Sequence, residues 1–493
     1  MKLFKHQQDA VEFAKTNNGL CALFHDPGLG KTRTSLEVYT QLRAKEPALK
    51  LLVVCPLSLI NAAWGADIQK FTTFTFAPFR LMGCKIPDII IINYESLISK
   101  NILPQLRNLI IKYPCMCVLD ESSRLKNNKS LTTKALLALA PLFKHRIILS
   151  GTPMPNNETE LWGQIRFVRP DVLDKSFYQF RNKYFHLARN GEQMAPLQGK
   201  VMNRMMMRNI MMQGWRYTIT PFMRDHLLHK LKPFTHWMKK EEALDLPEKI
   251  DQIREVQLSG PEVEAYRDMK NHLVAEIGGQ VIAAPVAMTK VMKLRQVTSG
   301  FMYGQNSDAL VVGKSKLHEL EDTIEQLGDQ QVIIFVEFHY EIEAIQQLLM
   351  SRYGIDQVVT LYAGTQDKED SISKFQQGKA RYLIAHPKSA AHGLTFVNCS
   401  TMIFFSLDYS YESHEQARNR IHRIGQRNKC LYIYLIAKAT IDETLLAVLR
   451  RKADLQSIVH AITKGTMYAG TGNEAQKCSS EVDREELPRS VGV

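Results

Sequence analysis

Short unbroken apolar runs, separated by amphipathic stretches, set the pattern of the chain's first part. The runs Leu20–Phe24, Leu51–Cys55, Ile89–Ile92, Met116–Leu119 and Arg146–Leu149 each end in polar or Gly/Pro residues. A strand buried on both faces of a parallel sheet needs such a continuous run, because helices cover both of its sides. The pattern resumes near Ile250, with strands predicted over Val332–Val336, Val358–Leu361, Tyr382–Ala385, Met402–Phe405 and Leu431–Leu435. A closing helix is predicted from Asp442 to Ile462. The polar, Gly/Ser-containing end from Thr466 is expected to be disordered. No solenoid-type repeat is present. The fold class is therefore α/β: two parallel-sheet lobes of similar size around a cleft. Open parallel sheets hold ligands at the carboxyl ends of their strands.

Charge adds a third segment. The 493 residues carry 63 Lys and Arg against 50 Asp and Glu, a formal net charge of +13. The stretch from Arg166 to Lys240 alone holds 15 Lys/Arg and 4 Asp/Glu, a balance of +11, so nearly all the excess lies there. It contains a Met-rich basic run, Val201 to Met212, followed by Trp215, Arg216 and Tyr217. It reads as a mostly helical basic insertion suited to a polyanion. There, Arg204, Arg208, Arg216 and Arg224 are candidates to grip phosphates, and Trp215 or Tyr217 to stack on a base. The lack of a signal pattern and of a bilayer-length apolar run leads us to expect a soluble, cytoplasmic protein of a bacterial or phage-infected cell, without a membrane partner. The eight cysteines have no zinc-finger spacing. Cys115 and Cys117 fall on one side of a strand and are expected to be buried thiols.

The candidate chemistry lies at strand ends. Asp26-Pro27-Gly28-Leu29-Gly30-Lys31-Thr32 follows an apolar run and precedes a helical stretch. Glycines at Gly28 and Gly30 let backbone N–H groups turn around phosphates. Lys31 brings a positive charge to the β/γ-phosphates, and the Thr32 hydroxyl is placed to ligate Mg²⁺. His25 stands where the strict phosphate-loop pattern has glycine. Asp120 and Glu121 end another apolar run: the first suits Mg²⁺ through its waters, the second an attacking water. Ser150-Gly151-Thr152-Pro153 ends the next run, where hydroxyls are suited to sensing nucleotide state. Gln416, Arg420 and Arg423 fall on one face if their segment is helical. Two arginines on one face are placed to reach a γ-phosphate across the cleft. His25, His392 and His422 are read as structural hydrogen bonders.

Taken in order, these segments resemble superfamily 2 helicases, and specifically the SNF2-like DNA translocases, from Leu3 to about Glu443, some nine-tenths of the chain. Phe4-Lys5-His6-Gln7 resembles the adenine-reading Q motif, which implies Gln7 as the reader. Val54 to Ser58, with Trp64, resembles motif Ia, and Asn93-Tyr94-Glu95 the next strand-end motif. Asp120 to Ser123 stands at motif II and Ser150 to Pro153 at motif III. In the second lobe Ile334-Phe335 resembles motif IV. Tyr362-Ala363-Gly364-Thr365 resembles a strand-end DNA contact, and His392-Gly393-Leu394-Thr395 motif V. Arg420 to Gln426 contains the HRIGQ run of motif VI, the most family-specific feature. The resemblance implies catalysis by Lys31, Asp120, Glu121, Arg420 and Arg423. It implies ATP held by Gln7, Gly28, Gly30, Lys31, Thr32 and Gln416, with Mg²⁺ at Thr32 and Asp120. It implies DNA contacts at Pro56, Ser58, Thr365, Gly393 and Thr395, beside the basic Arg204, Arg208 and Arg216. Two departures bear on nucleotide–DNA coupling: motif II ends in Ser123 where the family usually has His, and motif V has Gly-Leu-Thr-Phe in place of Gly-Leu-Asn-Leu.

The implied architecture is two RecA-like lobes, 1–165 and 246–445, with the insertion at 166–245 and the closing helix and tail at 446–493. The compact chain resembles the small phage and bacterial members more than the large eukaryotic relatives. The implied function is an ATP-dependent DNA helicase or translocase that unwinds or branch-migrates DNA in replication, recombination or repair, with replication or recombination proteins as possible partners. Duplex, forked or branched DNA is the expected track, and the HRIGQ-type run points to DNA over RNA. The alternative is a duplex translocase that remodels protein–DNA complexes without strand separation. A non-hydrolysing nucleic-acid-binding scaffold is opposed by the intact Lys31, Asp120, Glu121 and arginines.

Overall fold

The computed structural model describes residues 2–83, 85–189, 192–193, 215–275, 284–304, 308–390 and 394–464. In lobe 1, seven strands form a parallel sheet: β1 (Leu20–His25), β2 (Lys50–Cys55), β3 (Phe76–Pro78), β4 (Ile89–Asn93), β5 (Cys115–Asp120), β6 (His145–Ser150) and β7 (Thr235–Met238), in the order β7-β1-β6-β5-β2-β4-β3. The five predicted apolar runs are its five central strands. Their side chains alternate between two buried layers. Ala22, Phe24, Cys115, Cys117 and Leu119 face one layer, and Cys21, Leu23, Met116, Val118 and Leu149 the other. Cys115 and Cys117 are buried free thiols on one side, and burial pushes both thiols well up.

Lobe 2 repeats the plan with six parallel strands: β8 (Lys249–Val256), β9 (Val332–Phe335), β10 (Val358–Leu361), β11 (Tyr382–Ala385), β12 (Thr401–Phe404) and β13 (Cys430–Ala437). Their order is β8-β13-β12-β9-β11-β10. Among the described residues no helix is long and apolar enough to cross a membrane.

The segment from 166 to 245 differs from the expected insertion. Its last part, β7, pairs in parallel with β1 as an edge strand of lobe 1. Phe180, Tyr184, Leu227, Leu228 and Leu231, from the helices Phe177–Tyr184 and Pro221–Leu231, are buried in the lobe 1 core. Between those helices the described residues form a small antiparallel sheet, with His186–Arg189 central between Glu192–Gln193 and Arg216–Thr218. Arg204, Arg208 and the Val201–Met212 run lie outside the described residues, as do His392, Gly393 and the tail from Thr466.

Four helices position the site: α1 (Lys5–Thr16), α2 (Lys31–Lys45), α3 (Tyr411–Arg418) and α4 (Ile441–Lys464). The last is the closing helix, and it spans the lobes. Leu445, Leu446 and Leu449 join the lobe 2 core, whereas Val459 and Ile462 join that of lobe 1.

Candidate functional site between the lobes

The phosphate-loop residues 26–30 link β1 to α2, and Gly30 caps that helix. Gly28 and Gly30 have φ of 92° and 73°, left-handed values that glycine adopts without a Cβ clash. Gly30 is required for a second reason: a Cβ there would lie 2.3 Å from Gln7 Nε2. Gln7 is buried on α1 and donates to the Leu29 carbonyl at 3.3 Å, beside His6 Nε2 at 3.1 Å from the same oxygen. The Q-motif glutamine is thus brought onto the back of the loop. Lys31 Nζ donates to the His25 carbonyl at 2.8 Å. His25, whose side chain is fully buried, pairs Nε2 with His236 Nδ1 at 2.8 Å, the structural role expected of it.

Asp120 ends β5 and Glu121 follows it with φ 54°, an uncommon backbone for a residue with a Cβ. Three groups fix the pair. Trp64 Nε1 donates to Asp120 Oδ2 at 2.9 Å, the Tyr94 hydroxyl donates to the Asp120 carbonyl at 2.7 Å, and Glu121 N–H donates to Asp120 Oδ1 at 3.0 Å. Burial pushes both carboxyls up, the charge of Asp120 pushes Glu121 further, and Lys31 pulls both back. A carboxyl raised in this way is suited to accept a proton near neutral pH. Among the described residues no three or more His, Cys, Asp or Glu side chains form a metal cluster. Magnesium bound with triphosphate needs none, since it takes one or two carboxylates and completes its shell with phosphate oxygens and waters. Asp120 and the Thr32 hydroxyl fit that donor set.

Lobe 2 brings arginines to this loop, in a way the helical spacing did not foretell. The expectation that Gln416, Arg420 and Arg423 share a helix face is corrected: α3 ends at Arg418, and only Gln416 lies on it, buried. The Arg418 carbonyl, which would accept the next helical N–H, is taken instead by the Tyr432 hydroxyl at 3.0 Å, and partners from elsewhere hold the turn beyond it. Phe396 N–H donates to the Arg420 carbonyl at 2.9 Å and Lys240 Nζ to that of His422 at 2.8 Å, while the Asn419 amide caps the Glu415 carbonyl at 2.7 Å. The turn still converges the two guanidiniums, which both donate to the Leu394 carbonyl, at 2.9 Å from Arg420 and 3.0 Å from Arg423. A Cβ on Gly28 would meet Arg423 Nε at 3.5 Å, so this arginine already lies over the phosphate loop. The charge of Arg420 is felt at Glu121. His422 Nε2 lies 2.9 Å from the Pro247 carbonyl, a structural contact.

Motif II crosses the cleft. Ser123, at the place where His was expected, donates from Oγ to Glu412 Oε1 on α3 at 2.9 Å, and Lys126 Nζ lies 3.6 Å from the other Glu412 oxygen. Ser150 is fully buried, and its hydroxyl accepts from Thr152 N–H at 3.1 Å.

The candidate DNA contacts are mixed. Ser58 is exposed and Pro56 buried, just past the end of β2. Thr365 follows β10, and its hydroxyl accepts from Tyr362 N–H at 3.0 Å. The Thr395 hydroxyl is turned inward and accepts from Arg423 at 2.6 Å. Arg216 is exposed. Arg224 instead forms an ion pair with the buried Glu158, and Tyr217 packs under the Arg181 guanidinium, 4.1 Å from the ring centre. These two are therefore parts of lobe 1 packing. Sequence reasoning did not single out Trp64 or Tyr94 as holders of Asp120, nor Lys240 or Glu412. Their partners lie 26 to 289 residues away, and only the departure at Ser123 gave a signal.

The SNF2-related domain family matches residues 6–300 and the helicase conserved C-terminal domain residues 315–425. The chain is 24% identical to the Nuclear protein STH1/NPS1 of Saccharomyces cerevisiae over 90% of its own length, but spans only about a third (33%) of that relative. It is 24% identical to protein p41 of Acyrthosiphon pisum secondary endosymbiont phage 1, over 88% of this chain and 92% of p41. Among solved structures it is similar to the Sulfolobus solfataricus SWI2/SNF2 ATPase core in complex with dsDNA, with 23% identity, a TM-score of 0.42, and coverage of 100% of this chain and 98% of that one. With a phosphate loop, an acidic pair and a facing arginine turn in family order, and with the SNF2-related match covering more than half its residues, the chain belongs to the SNF2-related ATPases of helicase superfamily 2.

Proposed function

We propose that this protein is an ATP-driven translocase on duplex DNA, hydrolysing ATP in the cleft between its lobes. The observation that carries the reading is the approach of Arg423 to Gly28, with Arg420 placed to act on Glu121. A site made from both lobes links the state of the phosphates to the relation between the lobes. Lys31 and the loop amides bind the phosphates, and Gln7 takes the adenine side. Glu121 accepts the proton of the attacking water. Arg420 and Arg423 neutralise charge developing on the transferred phosphoryl group. Mg²⁺, held at Thr32 and Asp120, would screen the phosphate charge.

DNA as the track is supported by family membership and by the basic balance between Arg166 and Lys240. Strand separation needs a wedge, and Tyr217, one of the two aromatic candidates, is occupied within lobe 1. We therefore favour translocation as the core activity. Unwinding or branch migration in replication, recombination or repair is the more demanding form of the same reading.

The test is ATP hydrolysis without nucleic acid and with single-stranded, duplex and forked DNA and RNA, alongside strand displacement on the fork. Lys31→Ala is expected to lower DNA-stimulated hydrolysis at least about 100-fold. Full activity in Lys31→Ala would sink the mechanism. Duplex stimulation without displacement supports translocation, whereas displacement would support the helicase form.

A further inference from the structure

Lys240 is assigned no role by the motifs, yet it touches both halves of the site. It lies two residues past β7, where the chain leaves lobe 1 for β8 and lobe 2. Its side chain is among the largest that are fully buried. Its backbone N–H donates to Asp26 Oδ2 at 3.0 Å, at the first residue of the phosphate loop, and the Asp26 N–H donates to the Met238 carbonyl at 3.0 Å. Its Nζ donates to Asn419 Oδ1 and, at 2.8 Å, to the carbonyl of His422, a residue between the two arginines. A Cβ on Gly28 would lie 3.8 Å from Lys240 Cε and 3.5 Å from Arg423 Nε. One residue thus holds the phosphate loop with its amide and the arginine turn with its ammonium.

Burying an ammonium costs several kcal/mol before its partners are counted. Burial pulls the Lys240 pKa down to about 7, against the opposing pull of the Asp26 carboxylate. An aliphatic side chain would fill the same space without that cost, but it has no donor for the His422 carbonyl. That carbonyl lies in the turn between Arg420 and Arg423, so the bond anchors the backbone from which both guanidiniums reach toward the loop.

We propose that Lys240 is a positioning residue for the arginine pair, pinning the 419–423 turn to the phosphate loop so that both guanidiniums face the reacting phosphates. The proposal rests on the reading of this cleft as the ATP-hydrolysing centre. Lys240→Met keeps the aliphatic stem and removes the donor. In the full chain with duplex DNA it is expected to lower kcat about 10- to 100-fold, the scale of an ångström-level misplacement. KM for ATP and the affinity for fluorescent ADP are expected to change by less than about 3-fold, because the phosphate loop itself is untouched. Since Lys240 acts through the arginines, Lys240→Met combined with Arg423→Ala is expected to be no slower than Arg423→Ala alone. If Lys240→Met does not fold, as judged by thermal melting, Asn419→Ala approaches the same contact from lobe 2, with the same split between kcat and KM expected. Wild-type kcat in the variant that folds, or losses that multiply in the double variant, would overturn the proposal while Arg423→Ala remains crippled. Wild-type kcat in Arg423→Ala itself would instead overturn the reading of the site, and the proposal with it.

Discussion

Ser123→Ala tests whether the acidic-pair turn holds lobe 2 in place. The Ser123 hydroxyl donates to Glu412 at 2.9 Å, and Lys126 stands 3.6 Å from the other carboxylate oxygen. A hydrogen bond to an ionised group contributes about 1.5–3 kcal/mol net. The Lys126 side chain is 40% exposed, so its pairing adds at most about 1 kcal/mol. The Glu412 side chain is 20% exposed, and water replaces part of what the lost hydroxyl supplied. The net loss is therefore about 1.5 kcal/mol, roughly tenfold in an equilibrium constant. That loss falls on the closed arrangement of the lobes, because Ser123 shares its turn with Glu121 and Glu412 shares α3 with Gln416. Steady-state hydrolysis is expected to slow about 3- to 10-fold, with little change in ADP affinity and lower energy transfer between dyes on the two lobes. In a double-mutant cycle with Glu412→Ala, the coupling is expected to be about 1–2 kcal/mol. An unchanged kcat, or a cycle additive within about 0.3 kcal/mol, would refute the latch.

Two further outcomes follow from the charges. Glu412 is one of the carboxylates whose charge raises Glu121, after burial and Asp120, so Glu412→Gln is expected to lower the Glu121 pKa. A base must be deprotonated to act, so rate is lost as pH falls through its pKa; the acid limb of the kcat–pH profile is expected to move to lower pH, and a shift upward would contradict the assignment. In lobe 1, burial opposes the charge on Asp88, but hydrogen bonds from Arg43, Thr75 and Lys50 outweigh it and hold the carboxyl down to about 2. A depressed carboxyl contributes stability above its unfolded pKa, near 4, and loses it as pH falls from about 4 to about 2; Asp88→Asn is expected to cost about 2 kcal/mol at pH 7 and to flatten that pH dependence in denaturant unfolding.

The fold was legible where one physical requirement dominates a short segment. The five central strands of lobe 1 are buried on both faces, and only a continuous apolar run satisfies that. β7 was not legible: Thr-His-Trp-Met alternates buried and half-buried positions at a sheet edge, inside the most basic stretch of the chain. The phosphate loop and acidic pair could be read because each is local. Gly28 and Gly30 sit at left-handed φ within five residues of Lys31, and Asp120 needs only the end of β5. The arginine turn was half legible. Its residues were found, but the helix assumed for them stops at Arg418, whose carbonyl the Tyr432 hydroxyl takes, and the turn beyond it is held by a lysine some 180 residues earlier and a backbone amide from Phe396. Spacing rules describe competition within a helix, and here the competitors come from elsewhere in the chain.

The same contrast between local and distant contacts sets how the lobes are able to move. α4 has 24 residues, so it is about 36 Å long. Its first half is fixed in lobe 2 through Leu445, Leu446 and Leu449, and by Lys452 Nζ on the Tyr409 carbonyl at 2.8 Å. Its second half is fixed in lobe 1 through Val459 and Ile462, and by Gln456 Nε2 on the Met154 carbonyl at 2.6 Å. Burying two such aliphatic side chains stabilises by about 3–6 kcal/mol, more than the single polar latch at Ser123. The cleft contacts are therefore the ones to exchange first. They are polar, and phosphate oxygens are competent to replace them, whereas nothing in a nucleotide replaces the apolar seat of α4. Opening that keeps both ends of α4 seated pivots the lobes about this uninterrupted helix, with the backbone change taken up in the connecting segments beside it rather than in its hydrogen-bonded middle. On the proposed cycle, nucleotide then acts on the cheap side of the molecule while the costly side holds the axis. Thr395 gives that motion a route out of the cleft: its hydroxyl accepts from Arg423, so a displacement of the arginine is felt directly at a motif V residue where the family resemblance expects DNA.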